Sequence, residues 1–160
     1  MKERGKNVWL AVSGLVAAED GKWLVVNKRY GGLKGVWSLP AGFVKENETV
    51  DEAVIREVLE ETGIQAEVEG LLGVRSGVIG NEISDNMLIF LLKPQSFDVI
   101  AQKEELYEAK FIDPEILIKE GKHSVLLEHL LSYKKEHMQT ILDGIDPGSH
   151  FGYTSYKLFL

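Results

Sequence analysis

The 160-residue chain contains no cysteine. That excludes a disulfide framework, thiolate metal centres and a cysteine nucleophile, and it fits a reducing, cytoplasmic setting. Long apolar runs are also missing: the longest, residues 87–92, is far shorter than the ~20 residues a membrane-spanning helix needs. Proline is scarce, with four residues, and the composition sits away from disordered and collagen-like classes. Positive charge is in deficit. Lys and Arg number 18 against 25 Asp and Glu, and the net charge of −7 disfavours DNA and other long polyanions as partners. His123, His129, His137 and His150 lack the spacing of zinc ligands. The loop Gly31-Gly32-Leu33-Lys34-Gly35 lacks the Gly-Lys-Ser/Thr ending of a P-loop, and reads as a flexible rim.

What is present is 44% hydrophobic and 27% charged residues, which suits one globular domain spanning residues 1–160. Lys2, Arg4 and Lys6 before the apolar stretch 8–18 mimic a short signal peptide. Glu3 and Gly14 interrupt that pattern, and Glu19-Asp20-Gly21 leads into a second strand-like run, 22–28, so the two runs predict a hairpin. Two short strands are expected in 36–44, broken by Pro40 and Gly42. Thr49-Val50-Asp51-Glu52 is a capping box, so a helix should run from Thr49 to about Thr62, with Val50, Ala53, Val54 and Val58 inward and Gly63 ending the last turn. Further strands are expected at 65–74, 87–93 and 108–112, the middle one buried on both faces. Residues 75–86 read as a long loop containing a turn at Ser84-Asp85-Asn86, with a place lining a cleft as the lesser reading of those three. Helices are expected from Asp113-Pro114 to about Lys119 and over 123–137, the latter with a stripe of Val125, Leu126, Leu130 and Leu131. Segment 139–160, rich in Gly, Asp and aromatics, is available to dock on the domain or on a partner. Interleaved strands and helices predict an α/β or α+β sandwich.

One segment carries chemistry. From Gly42 the chain runs through Glu48 to Arg56-Glu57-Val58, Glu60-Glu61 and Gly63-Ile64. Glu57, Glu60 and Glu61 stand at i, i+3 and i+4 of one helix and converge on one face, and Glu48 at the helix entrance can approach it. Crowded carboxylates repel one another, so a cation should compensate. Hard oxygen donors select Mg²⁺, Mn²⁺ or Ca²⁺, with Mg²⁺ usually sharing its shell with water and substrate phosphate. Arg56 could hold Glu48 or Glu57 in place through a bidentate pair. A solvated acidic helix face is the competing reading. Seven fixed identities across residues 42–64 arise by chance on the order of 10⁻⁹ per window, which decides against it.

This segment resembles the Nudix box, the signature of the Nudix hydrolase superfamily, at every fixed position. The preceding Trp37-Ser38-Leu39-Pro40-Ala41 resembles the family's approach to the box, with Ala41 where many members have Gly. The resemblance implies a Nudix-type α/β/α sandwich with a mixed β-sheet. It also implies metal-dependent hydrolysis of a pyrophosphate linkage in a nucleoside diphosphate joined to another moiety, such as ADP-ribose, or in a nucleoside triphosphate. On the same basis Glu57, Glu60 and Glu61 would be metal ligands for Mg²⁺, or Mn²⁺ in its place, with the Ala41 carbonyl as a further one. Arg56 and Glu48 would orient them, and the general base would be a box glutamate or a later one, for which Glu104 and Glu105 are the candidates. Lys28, Arg29, Lys34 and Arg75 could bind the diphosphate, with ordinary surface charge the competing reading for each, and Trp37 could stack on a base, although an aromatic in a short apolar strand is more often core. The partner expected is a small nucleotide, with a homodimer in keeping with the family. A nucleotide-sensing domain without turnover is the alternative, and the intact glutamates weigh against it. Isopentenyl diphosphate isomerisation on this fold normally needs a cysteine that this chain lacks.

Overall fold

The computed structural model describes residues 5–160. In chain order the strands are β1 (Val8–Val16), β2 (Trp23–Lys28), β3 (Trp37–Ser38), β4 (Ala41–Phe43), β5 (Ala66–Ile79), β6 (Ile83–Pro94), β7 (Leu106–Ile112), β8 (Ile141–Leu142) and β9 (Leu158–Phe159). Helix α1 (Val50–Thr62) follows β4, while α2 (Pro114–Glu120) and α3 (Val125–Leu130) follow β7. Successive side chains of a strand face opposite sides of its sheet, and β1 uses both. Val12 and Val16 enter a core with Val54 and Val58 of α1, whereas Ala11 and Leu15 enter a second core with Leu117 of α2 and Leu127 of α3. β6 does the same, sending Phe90 and Leu92 to the first core and Met87, Ile89 and Leu91 to the second, so it is buried on both faces as its unbroken apolar run predicts. Helices therefore cover both faces of a mixed sheet. Its order is β4-β1-β6-β5, with β1 and β6 parallel and the other pairs antiparallel. No helix among the described residues is long and apolar enough to cross a membrane.

Four local expectations need correction. The run 8–28 does make a tight turn, with Gly21 at φ 87° and the Ala18 amide donating to Lys22 O at 2.9 Å. Its strands nevertheless do not form a hairpin. Both edges of β1 are taken by β4 and β6, so after the Ala17–Trp23 bridge β2 leaves for a second sheet of order β3-β2-β7. Residues 75–86 are not a loop: β5 and β6 continue as one long hairpin closed at Gly80 and Asn81, both at positive φ. This is the backbone that tight primed turns require. Ser84-Asp85-Asn86 accordingly belongs to β6, held across the ladder by Ser76–Asn86 and Arg75–Asp85 contacts at 2.6 and 2.7 Å. The helix expected over 123–137 is confined to Val125–Leu130, because the buried pair is Leu127 and Leu130 while Val125 and Leu131 stay exposed.

Helix α1 matches its expected limits. Glu52 accepts from the Thr49 amide at 2.9 Å, and Gly63, at φ 72°, returns its amide to Leu59 O. The helix lies close on β1, where a β-carbon at Gly14 would come within 3.0–3.1 Å of Val54 and Val58. Segment 139–160 folds back on the chain. β8 and β9 pair with each other, Phe159 packs edge-on against Phe90 at 5.7 Å, and Lys157 reaches Asp51 at 2.8 Å.

Candidate active site

Helical spacing brings Glu57, Glu60 and Glu61 to one side of α1, and Arg56 binds the group together. Its Nε and Nη2 donate to the two oxygens of Glu48 at 2.9 and 2.7 Å, and Nη1 donates to Glu57 at 2.6 Å and Glu60 at 3.2 Å. Nη2 also reaches the Phe43 carbonyl at 3.1 Å, which ties the helix to β4. Arg56 thus orients both Glu48 and Glu57. The bidentate contact draws the Glu48 carboxyl down to about 2, aided by the Lys45 amide at 2.7 Å. Glu57 is shifted the other way: burial raises its carboxyl, and Arg56 only partly opposes this. Glu57 lies directly against Gly42, where a β-carbon would overlap its carboxylate. The glycine is there for close approach.

Glu61 is the deepest of the group at 3% exposure. Burial raises its carboxyl to about 7, against the pull of Lys28. Lys28 Nζ stands 3.4 Å from Glu61 Oε1 and 3.4 Å from the Ala41 carbonyl oxygen, while Glu61 Oε2 is buried without a hydrogen-bond partner. Glu57, Glu60 and Glu61 line a cavity of about 450 Å³ together with Lys45, Gln102 and Glu105. Glu105 is fixed by its amide, which donates to Gln102 Oε1 at 2.7 Å. Glu104 does not line this cavity. Among the described residues no three acidic or histidine side chains already converge as a metal cage, because Arg56, Lys45 and Lys28 hold the carboxylates. The donors nevertheless suit a hard divalent ion: all are oxygens, and the orphaned Glu61 Oε2 is an acceptor still to be satisfied.

β4 is the wall between this cavity and a larger cleft of about 730 Å³. Gly42 abuts Glu57, and Ala41 and Phe43 line the cleft. Trp9 and Phe43, 39% and 56% exposed, meet edge-to-face at 5.7 Å on one side of it. Arg75 and Asp85, paired at 2.7 Å, stand on the β5–β6 side.

A family model for the NUDIX domain matches residues 8–132. The chain belongs to the Nudix family. It is 38% identical over 112 residues to an ADP-ribose pyrophosphatase of Methanocaldococcus jannaschii, an alignment that covers 65% of this chain but only 61% of that protein. A MutT-like protein of Streptomyces ambofaciens is 30% identical over 138 residues, covering 72% of this chain and 86% of that one. Among solved structures, a Nudix hydrolase from Nitrosomonas europaea superposes with a TM-score of 0.68 at 24% identity, covering 80% of this chain and 70% of that one. That likeness concerns the fold alone.

The remaining sequence candidates of this Nudix chain separate in space. Lys28 and Arg75 line the cleft. Arg29 is turned onto β7, donating to Leu106 O at 2.9 Å over the Tyr107 ring, and Lys34 is exposed on its loop. Trp37 packs against the core on the α2–α3 side, with Lys110 Nζ 4.5 Å from its ring centre, and does not line the cleft. Trp9 and Phe43 went unnoticed in the sequence, and Asp85, read first as part of a turn, lines the cleft. The available signal was parity: Trp9 shares the β1 face of Ala11 and Ser13, and all three line the cleft.

Proposed function

We propose that this Nudix protein hydrolyses the pyrophosphate linkage of a small nucleoside diphosphate derivative, with ADP-ribose the first choice and a nucleoside triphosphate the second, in the cytoplasm. The observation that carries this reading is the contact of two unlike cavities across β4, one lined by four glutamates and one walled by aromatic rings. Such a pairing suits a ligand with a charged linkage at one end and a flat base at the other. The choice of ADP-ribose is supported by the activity named for the archaeal relative.

In this reading Glu57, Glu60, Glu61 and the Ala41 carbonyl hold Mg²⁺ or Mn²⁺. Such an ion, when bound, neutralises phosphate charge and makes a bound water more acidic. The chain's own groups do the rest. Arg56 keeps Glu48 and Glu57 in fixed orientations, Glu105 takes the proton of the attacking water, and Lys28 and Arg75 face the phosphates. Trp9 and Phe43 meet the base from one side of the cleft. Turnover should be measured on ADP-ribose, other nucleoside diphosphate sugars and nucleoside triphosphates with Mg²⁺ or Mn²⁺, resolving the products. ADP-ribose should yield AMP and ribose 5-phosphate in a metal-dependent way. Glu60→Gln and Glu61→Gln should abolish this while the protein stays folded. A wild-type protein that binds these nucleotides but cleaves none would instead be a sensing domain.

A further inference from the structure

We infer that Lys28 is the site's resident counter-cation, displaced from Glu61 when a divalent ion binds and thereby freed to face the substrate's phosphates; this rests on the metal-site reading above. The ammonium touches two particular oxygens. Glu61 Oε1 and the Ala41 carbonyl, both 3.4 Å from Lys28 Nζ, are the two donors assigned to the metal from opposite sides of the site, one on α1 and one on β4. Among the described residues Lys28 is the cation paired with Glu61, whose side chain is only 4% exposed, so the carboxylate's compensation rests on this contact. Two like-charged ions competing for the same oxygens repel strongly in a poorly solvated site.

The backbone marks Lys28 as well. The β2–β7 ladder slips at this residue: Asn27 faces Glu108 but Lys28 faces Leu106, with Tyr107 left over. Bulges of this kind re-aim side chains beside functional sites. The neighbouring Arg29 is committed to Leu106 O and the Tyr107 ring, and cannot substitute. Lys28 also lines the nucleotide cleft. Its flexible stem therefore needs only to swing from the carboxylate cavity to the cleft, so metal uptake and phosphate binding become linked through one side chain.

The test is calorimetric titration of Mn²⁺ into the nucleotide-free wild type, Lys28→Met and Lys28→Gln, alongside thermal unfolding with and without the ion. If Lys28 is a competitor, both variants bind Mn²⁺ more tightly than wild type, by threefold or more for Lys28→Met. Their metal-free melting temperatures fall and their metal-induced rise in melting temperature grows. With Mn²⁺ saturating, both bind AMP more weakly than wild type. Equal or weaker Mn²⁺ binding by either folded variant overturns the inference and leaves the metal site intact. Absence of Mn²⁺ binding by the wild type overturns the metal-site reading itself, and this inference with it.

Discussion

Gly42→Ala is the sharpest probe of how the site is assembled, because the residue's role is purely steric. Gly42 is not among the glycines with positive φ, so alanine meets no backbone penalty there. Its β-carbon would instead fall inside the Glu57 carboxylate, where ordinary contact begins at 3.4 Å. The carboxylate must retreat by about 1 Å, a displacement that in a catalytic group can reduce turnover ~100-fold. The 2.6 Å Arg56–Glu57 hydrogen bond would be weakened or lost, a charge-assisted contact worth about 1.5–3 kcal/mol. Two effects offset that loss: Glu57 escapes part of the burial that raises its carboxyl, and Gly→Ala at a tolerant backbone stabilises by about 0.4–1 kcal/mol. The expected variant is therefore folded, within about 2 kcal/mol of wild type in urea denaturation, and nearly inactive. Gly73→Ala, where the new β-carbon meets nothing within 4 Å, is the control and should behave as wild type. A folded Gly42→Ala protein with wild-type turnover and Mn²⁺ affinity would refute the claim that Glu57 is positioned by the missing side chain.

Three further expectations follow from the same geometry. Glu105→Gln should reduce kcat by ~10²–10⁴ if Glu105 takes the water's proton, whereas Glu104→Gln, away from the cavity, should leave rates unchanged; equal rates in both would return the base to the box. Trp9→Ala should raise KM about tenfold to a hundredfold, the loss of ~1–3 kcal/mol of base stacking, while Trp37→Ala should lower melting temperature through its packing against the core; steady-state kinetics beside thermal denaturation separate the two. Lys157→Met should destabilise by about 3 kcal/mol, since it strands the Asp51 carboxylate, 8% exposed, without its partner. Burial would raise the Asp51 carboxyl, but Lys157 and Thr49 outweigh it and hold it below 3.8; Lys157 itself, which burial would lower, is raised above 10.5 by Asp51. A depressed acid contributes stability above its unfolded value and loses it as pH falls through the folded one; a raised base loses its contribution as pH rises through the folded one. The wild-type advantage over Lys157→Met should accordingly hold between about 4 and 10 and shrink outside that window, and an advantage that persisted in acid would show that the pair is not its source.

The Nudix family was legible in the sequence because the residues of its motif are local. Within residues 49–63 the cap, the inward stripe, the carboxylates gathered on one side and the terminating glycine are all set by local spacing, and the structure reproduces each, with Glu61 buried rather than solvated. The strands were legible where burial forces a pattern, as in β6 from Met87 to Leu92. They were not legible where both faces meet solvent: the outer half of the β5–β6 hairpin is held by polar pairs such as Ser76–Asn86, so no apolar alternation advertises it. The cleft was hidden for a different reason. Trp9, Phe43 and Arg75–Asp85 come from four strands and become neighbours only through the order β4-β1-β6-β5, a pairing the turn at 18–21 misrepresents. Trp37 adjoins the motif in sequence, but the fold directs its ring to the core beside Gly121, the commoner of its two readings for an aromatic in a short apolar strand.

The acidic end of α1 is also the wrong end by the rules of helix electrostatics. Negative side chains are stabilising near an N-terminus and unfavourable near a C-terminus, by about 0.3–1 kcal/mol each when exposed. Here Glu57, Glu60 and Glu61 crowd the last turns, and no basic residue occupies the last turn to relieve them. Relief comes from outside the turn: Arg56 from the preceding turn, Lys45 from the loop after β4 and Lys28 from β2. Five carboxylates, counting Glu48 and Glu105, face three cations, so the ionised site carries two excess negative charges. With Glu61 raised to about 7, that excess falls towards one below neutrality. A sequence optimised for the stability of α1 would place lysine or arginine at these positions. Local rules are broken in this way at functional sites, and the sign and size of the imbalance suit a small divalent cation better than a monovalent one.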